Sequence, residues 1–545
     1  MVAPSARSAL RLAEFLRRED RAARVEVHDM DAFGCAAVTF PAALRACAKK
    51  FWQHAGQIPS SRLALAVLGE PDEEEEEQQQ QQQGEAEEQL DCETARPALR
   101  QRVAALAGAR AHDVYLFPSG MAAIAASHRI AAALLAEDSE EHEEAEVSAA
   151  DAEPATARRR GAPSTPGTPG SPQHSVYSAC SAHSAGLDSS LGSPGSPSGA
   201  SLGSSSGLQR RPSSDDSCAS PSGPARLALA RPPGRHVVVF GFPYLDTLKL
   251  ANVLHDAPAR FWGHGSEADV DALAAELEAG LSRPLAVYCE FPSNPLLRAP
   301  PLRRLRALCD AHGVPLVVDD SCAGVCNVDL LGPGGADMVV SSLTKQFCGA
   351  GTAMGGSLVL NRAARLAAPL KRAAERDYEP DMLFWRDAAV LLRCSMDLPQ
   401  RARKSNATAV QLVSALKAHP RVRDVFHPTV DTERRQAFDE FRRKGGAAGG
   451  TVGGGGYGGI VSFVLRDPAH ARTFFDAVNV PKGPGFGTNF SLLMLYTMLA
   501  HYHELPWAKQ YGVDQNLMRL WCGQEDDLVE RVLAALDALP APAPA

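Results

Sequence analysis

Val317-Val318-Asp319-Asp320-Ser321, followed by Ser341-Ser342-Leu343-Thr344-Lys345, sets an acid and a lysine each just past a short apolar run, Asp319 and Lys345 standing 26 residues apart. The runs themselves, Leu316 to Asp319 and Met338 to Ser341, are continuous rather than alternating, which marks strands covered on both faces. Similar runs occur at Val114 to Phe117, His236 to Phe240, Leu285 to Cys289 and Ser357 to Leu360. Helical patterns lie between them: Val270, Leu273, Leu277 and Leu281 share one helical face, and Leu302, Leu305 and Leu308 another. Strand and helix in alternation predict an α/β fold, a mostly parallel central sheet with helices on both faces. Ligand sites in such sheets form at the carboxyl ends of the strands, where Asp319 and Lys345 fall. From Pro380 onward the pattern changes to longer helices, the strand Ile460 to Leu465 and a closing helix from Asp527 to Leu539, which predicts a smaller C-terminal α/β domain.

Composition bounds the rest. A chain of 545 residues has room for two or three domains. The formal net charge of -9 comes largely from acidic runs such as Asp72 to Glu77 and Glu137 to Glu144, which read as solvated tracts, and no nucleic-acid footprint is visible. Arg158 to Arg160 reads as a solvated patch. The twelve cysteines are scattered, several of them in apolar stretches (Cys289, Cys309, Cys394), which suits reduced thiols in a reducing, cytoplasmic compartment. Cys322 and Cys326 lack the second ligand pair of a structural zinc site, so no metal is expected. No apolar run reaches the roughly 18 residues of a membrane span. Arg7 and Arg11, with no acid in the first dozen residues, keep organelle import open as an alternative to the cytoplasm.

Low-complexity blocks divide the chain. Residues 1–69 read as an N-terminal segment, 70–91 as a Glu/Gln-rich tract, 92–379 as the large domain with a disordered insertion at about 137–224, and 380–545 as the small domain with a flexible glycine loop at 445–459. The polar tracts cannot bury enough apolar surface to offset their chain entropy.

The acid and the lysine suit one cofactor chemistry. Pyridoxal phosphate needs a lysine amine for a Schiff base and a carboxylate that keeps the pyridine nitrogen protonated. Taken alone, a lysine after a strand is more often a surface residue. Here Ser119-Gly120-Met121 follows the strand Val114 to Phe117 and opens a helical run, where backbone amides and the helix dipole can hold a phosphate. Ser342 and Thr344 can add hydroxyl donors. An ordinary helix N-cap is the plainer account of the first motif.

Four ordered motifs now carry a resemblance: Phe117-Pro118-Ser119-Gly120-Met121-Ala122, Glu290-Phe291-Pro292-Ser293-Asn294-Pro295, Val318-Asp319-Asp320-Ser321 and Ser342-Leu343-Thr344-Lys345. They resemble the successive signatures of the trans-sulfuration, or Cys/Met-metabolism, group of fold-type I pyridoxal-phosphate enzymes. Within that group, Phe240-Gly241-Phe242-Pro243-Tyr244-Leu245-Asp246-Thr247-Leu248-Lys249 and Ala500-His501-Tyr502-His503-Glu504-Leu505 are similar to the fungal-type cystathionine gamma-synthases. The resemblance implies that Lys345 carries pyridoxal 5'-phosphate and moves protons, that Asp319 pairs with the pyridinium nitrogen, and that Asn294 bonds the ring 3-oxygen. It implies a phosphate held by the Gly120 and Met121 amides with Ser342 and Thr344, and a substrate α-carboxylate held by Arg519 in a two-pronged bond. Arg62 falls where the family has an arginine that reaches the phosphate of the neighbouring subunit, which implies a homodimer or homotetramer with shared sites. Two departures stand out: the ring-stacking tyrosine of the family is Phe240, with Tyr244 as a candidate substitute, and a Ser-Leu-Gly loop reads Gly485-Phe486-Gly487.

The implied reaction is γ-replacement, in which an O-activated homoserine and cysteine give cystathionine. A lyase of the same family, acting on cystathionine or methionine, is the alternative. Ser342-x-x-Lys345 also matches a serine-hydrolase motif, but the Ser-Asp-Asn and Lys-Thr-Gly that accompany it are absent from the chain. A non-catalytic scaffold using the Ser/Pro tract is a third reading, opposed by the intact Lys345, Asp319 and Asn294. Because a segment outside the core costs only slowly growing loop entropy, deleting roughly Ser139 to Ser222 is expected to leave soluble protein and its turnover nearly unchanged. Loss of soluble, active protein on that deletion would contradict the assignment.

Overall fold

The computed structural model describes residues 1–30, 33–70, 91–134, 236–254, 258–445 and 454–540. Nearly all of the Glu/Gln-rich tract, the whole Ser/Pro-rich insertion and residues 446–453 of the glycine loop lie outside the described residues.

The chain begins with a three-stranded antiparallel sheet that the apolar-run pattern did not predict: β1 (Val2–Ala3), β2 (Glu26–Met30) and β3 (Cys35–Thr39), in the order β1-β3-β2. β2 reads Glu-Val-His-Asp-Met, too polar to resemble a strand buried on both faces, and β1 is two residues long. Helix Ala6–Glu19 covers this sheet, capped by Ser5, whose side chain accepts from the Ser8 amide. Its Phe15 packs on Phe51 of helix Arg45–Ala55, with ring centroids 5.3 Å apart.

The central sheet has seven strands: β4 (Val114–Phe117), β5 (Val238–Phe240), β6 (Arg260–Trp262), β7 (Val287–Glu290), β8 (Leu316–Asp319), β9 (Met338–Ser342) and β10 (Gly356–Leu360). Their order is β4-β10-β9-β8-β7-β5-β6, and the run from β9 through β6 is parallel. β10 is antiparallel to both of its neighbours. The sheet is therefore mostly parallel, with helices on both faces, as the apolar runs predict. Each crossover brings the chain back to the same end, so Phe240, Glu290, Asp319 and Ser342 finish their strands along one rim.

The remaining strands, β11 (Val422–Phe426), β12 (Ile460–Leu465), β13 (Leu492–Leu495) and β14 (Met518–Trp521), form a wholly antiparallel sheet in the order β11-β12-β14-β13. Helix Leu398–Ala418 covers it with Ala409, Leu412 and Leu416, which pack with Val461 and Phe463. Gly455 and Gly456 differ from the flexible reading of their loop. A Cβ on Gly455 would stand 2.2 Å from the Asn327 carbonyl oxygen, and one on Gly456 would stand 2.2 Å from Asn406 Nδ2. The Gly456 and Gly458 amides donate to the Asn327 and Asn406 side-chain oxygens at 2.8 and 3.0 Å. Here glycine permits close approach rather than freedom.

Two helical faces sharpen the sequence reading. Helix Glu267–Glu278, with a Ser266/Asp269 capping box, buries Val270, Leu273 and Leu277, but it ends before Leu281, which is 71% exposed. Helix Leu302–His312 buries Leu302, Leu305 and Cys309, and also Arg306, whose guanidinium pairs with the fully buried Asp337. Asp337 also accepts the Leu316 amide at 2.7 Å, so one carboxylate fastens the start of β8. Among the described residues no helix is long and apolar enough to cross a membrane.

Removing Asp337 takes the buried partner from Arg306, which among the described residues keeps only the half-exposed Asp310 at 2.8 Å, and leaves the Leu316 amide without its acceptor, so Asp337→Ala is expected to lower unfolding stability by about 3 kcal/mol. Urea denaturation would check it, and a loss below about 1 kcal/mol would show that the pair does not anchor β8.

Candidate functional site

The site grows from the rim of the central sheet. Glu290 and Asp319 are ladder partners at the ends of β7 and β8, which puts two carboxylates side by side. Asp319 accepts the Ser321 amide at 2.8 Å, and the Ser321 hydroxyl accepts the Ser342 amide at 2.7 Å, so the loop after β8 is tied to the loop after β9. That second loop turns back on itself with the Lys345 amide donating to Ser342 and the Gly349 amide donating to Lys345.

Lys345 is held from two sides. Its Nζ lies 5.2 Å above the Phe486 ring, and Gly487, at φ +85°, presses so closely that a Cβ there would meet the Gln346 amide nitrogen at 2.3 Å. Burial, and then the Arg519 charge, push the Lys345 amine below its ordinary value. Arg401 secures the turn after Lys345 by donating to the Gln346 and Phe347 carbonyls, and it reaches the Cys394 carbonyl as well.

Arg519 enters from β14 and is 4% exposed. It donates to Asn294 Oδ1 at 3.0 Å and to the Pro484 and Gly485 carbonyls, and it lies 5.1 Å above the same Phe486 ring. Asn294 in turn donates its amide to Glu290 at 2.9 Å. Arg519, Asn294, Glu290 and Asp319 therefore form one continuous polar chain beside Lys345.

Both carboxylates respond to this crowding. Burial, followed by the neighbouring Asp319, pushes Glu290 up to about 8, and burial raises Asp319. Next to them Asp320, pushed up to about 7 by burial, takes the Ser341 hydroxyl. Cys322, also buried, is raised well above the thiol range by desolvation.

A possible anion cradle sits at the opposite side of the Lys345 loop. The helix over residues 120–134 opens at Gly120, with Ser119 as its cap: its hydroxyl accepts the Ala122 amide at 3.1 Å. The first amides of a helix have no intrahelical acceptor, which leaves those of Gly120 and Met121 as donors. Gly120 lies against Ser342 so closely that a Cβ would stand 2.9 Å from that of Ser342. Glycine is thus what lets the two loops meet.

Not every expected residue joins this group. Thr344 exchanges its hydroxyl bonds with the Gly355 amide and carbonyl at 3.1 and 3.3 Å. Phe240 is 1% exposed, its ring in the apolar cluster with Val270, Leu273 and Val287, and it offers no open face. Arg62 donates to the Thr352 carbonyl at 2.8 Å and pairs with Asp387 at 3.2 Å within its own chain. Glu290 was not singled out from the sequence, although it ends an apolar run as Asp319 does; Phe486 stood out only as a departure in its loop, and Cys322 only as an unsupported metal ligand.

The family described as Cys/Met metabolism PLP-dependent enzyme matches residues 215–537, and the one described as fungal trans-sulfuration enzyme, N-terminal domain, matches residues 1–60. A cystathionine gamma-synthase of Neurospora crassa is 40% identical over 317 residues, 57% of this chain and 49% of that protein. A cystathionine gamma-synthase of Saccharomyces cerevisiae is 35% identical over 302 residues, 54% of this chain and 45% of that protein. An alanine racemase of Aspergillus violaceofuscus is 37% identical over 314 residues, 55% and 52% of the two chains. The chain spans about half the length of the curated relatives it matches.

The raised Glu290 carboxyl carries a test. Folding favours its protonated form, so its contribution to stability is full below about 4.5, the ordinary value, and is lost as pH rises toward about 8. Glu290→Gln, uncharged throughout, is expected to make the decline of unfolding stability between those pH values shallower in cofactor-free protein. Urea denaturation at stepped pH would show it, and an unchanged slope would mean that Glu290 ionises normally.

Proposed function

The chain belongs to the Cys/Met metabolism PLP-dependent enzymes, and from that premise we propose that it performs a γ-replacement, joining an O-activated homoserine to cysteine to give cystathionine. The observation that carries the reading is the ring of Phe486, shared at 5.2 Å by the Lys345 amine and at 5.1 Å by the Arg519 guanidinium. An amino acid whose carboxylate lies on Arg519 brings its α-carbon to Lys345. The identity with the Neurospora crassa cystathionine gamma-synthase supports the choice of reaction.

Pyridoxal 5'-phosphate is the cofactor of this family, and the residues present fit it. A lysine amine with a lowered ionisation, a buried carboxylate at the end of β8 and a glycine-lined helix start next to a serine are the donor set that such a group requires. Lys345 would hold it covalently, Asp319 would face its ring nitrogen, Asn294 its ring oxygen, and the Gly120 and Met121 amides with Ser342 its phosphate. Thr344 would first have to release Gly355. When bound, the cofactor supplies an electron sink for charge developing at the substrate α-carbon.

The remaining steps belong to the chain. Arg519 fixes the substrate carboxylate through two parallel charged bonds and so orients the scissile bond. Lys345 Nζ, its ionisation lowered by burial, accepts the α-proton and hands it on. Asp319 balances the positive charge beside it. The shared-site expectation, in which Arg62 reaches the phosphate of a neighbouring subunit of a homodimer or homotetramer, requires that side chain to leave Asp387. The free cysteines among the described residues fit a reducing compartment.

A lyase reading uses the same residues, and one assay separates the two. The protein should be offered O-acetyl-, O-succinyl- and O-phosphohomoserine with and without cysteine, and separately cystathionine. Cystathionine formation from one ester is expected; breakdown of cystathionine without synthesis from any ester replaces the synthase by the lyase. Lys345→Ala is expected to abolish turnover and borohydride-stable attachment of the cofactor in a folded protein, and retained attachment would remove Lys345 from its role. Arg519→Ala should raise KM and lower kcat, with kcat/KM down roughly 100-fold for every substrate.

A further inference from the structure

Two cations meet in the site without a counter-charge. Among the described residues neither the Lys345 amine nor the buried Arg519 guanidinium forms an ion pair with a carboxylate. What lies against both is the ring of Phe486, whose centroid is 5.2 Å from the amine nitrogen and 5.1 Å from the guanidinium carbon. Arg519 has a second ring, that of the buried Tyr496, at 5.3 Å. For Lys345 the Phe486 ring is the only such partner among the described residues. The electron-rich face of an aromatic ring attracts a cation, more strongly where water is displaced.

The ring is fixed from behind and from both sides. Phe486 is buried in an apolar cluster with Leu297, Cys322, Ile460 and Trp521. The Trp521 ring lies 6.4 Å from it, and the Trp521 indole donates to the Thr488 carbonyl at 2.6 Å, two residues further along the loop. Each chain neighbour of Phe486 is engaged with one of the same two cations. The Gly485 carbonyl accepts from Arg519 at 3.3 Å, and Gly487 lies so close to the lysine that a Cβ there would stand 2.9 Å from Lys345 Cα. Residues 485–487 thus touch the lysine and the arginine through main chain and side chain alike.

We propose that Phe486 is a positioning residue that serves both cations: its ring face holds the Lys345 amine beside the Arg519 guanidinium without adding a negative charge, and leaves the amine a stronger base than burial alone would. A carboxylate in its place would pair with Arg519 and compete with the carboxylate of the substrate. An aliphatic side chain would exclude water and stabilise neither charge. Because Arg519 keeps Tyr496 and its bonds to Asn294, Pro484 and Gly485, loss of the Phe486 face falls mainly on Lys345. The part of Phe486 in turnover rests on the amino-acid substrate proposed above; its effect on the amine does not.

The amine can be titrated in the full-length, cofactor-free protein by its rate of acetylation with acetic anhydride across pH, read on the peptide that carries Lys345. Phe486→Leu is expected to lower the midpoint by about 0.5–1 pH unit, since the charged form loses its partner, whereas Phe486→Tyr, which keeps the face, stays within about 0.3 unit. Phenylalanine analogues with one, two and three ring fluorines in place of Phe486 withdraw charge from the face at nearly constant shape, and should lower the midpoint stepwise. They carry the test if Phe486→Leu does not fold. Arg519 on β14, Cys322 in the turn after β8 and Asp319 at the end of β8, whose charges act on the amine, are unchanged in every variant. In the holoenzyme, with whichever amino acid it turns over, Phe486→Leu is expected to lower kcat about fivefold and to leave KM within about twofold. A midpoint that the fluorine series does not move overturns the proposal, since the ring then acts as apolar filling alone. So does a Phe486→Leu enzyme with unchanged kcat, or one whose loss lies in KM, which would assign the ring to the carboxylate site only.

Discussion

Two carboxylates on neighbouring parallel strands set the terms for everything around them. Glu290 and Asp319 are ladder partners, and strands lie about 4.8 Å apart, so both cannot ionise cheaply in a partly buried place. Burial raises both carboxyls, Glu290 up to about 8, while the Ser321 amide and the nearby Lys345 amine act to keep charge on Asp319. The Glu290 carboxyl keeps two loops in place by accepting the Tyr244 and Asn294 amides.

Around that pair the site is assembled from distant pieces of chain. The large sheet supplies the acid and the lysine, the small sheet supplies Arg519 on β14, and the N-terminal segment supplies Gly56, whose carbonyl accepts the Ser119 hydroxyl at 2.8 Å. The contacts between them are made by backbone groups and by side chains that each have more than one partner. Arg519 alone joins Asn294 to the loop at Pro484 and Gly485. Such sharing makes the geometry of each loop depend on the others, which is what a reaction demanding one orientation of the scissile bond requires.

Much of this was legible in the amino-acid order. β4, β8 and β12 have the bounds that their apolar runs predict, because strands buried on both faces leave a continuous signal. The N-terminal sheet left none, since the five residues of β2 include Glu26, His28 and Asp29. Leu281 looked like a fourth member of a helical face, but periodicity does not say where a helix stops, and this one stops at Glu278. Arg519, expected apart from the four motifs, bonds Asn294 and shares the Phe486 ring with Lys345. Where the Phe240 ring lies in an apolar cluster and the Thr344 hydroxyl bonds Gly355, the matching of positions along the chain says nothing of the side chain's surroundings. Pairs that only tertiary contact creates, such as Glu290 with Asp319 or Arg306 with Asp337, cannot be read from spacing.

Helix Leu398–Ala418, at 21 residues, is a rod of about 30 Å. Near one end Arg401 grips the Gln346 and Phe347 carbonyls just after Lys345, and toward the other Leu412 and Leu416 are packed against the small sheet that carries Arg519. The lysine turn and the arginine strand are therefore fastened to the same stiff member. Any tilt of that helix must carry the two cations together or break bonds at one end, so the distance between the amine and the guanidinium is set mechanically, by a strut, and not only by the loops that lie between them.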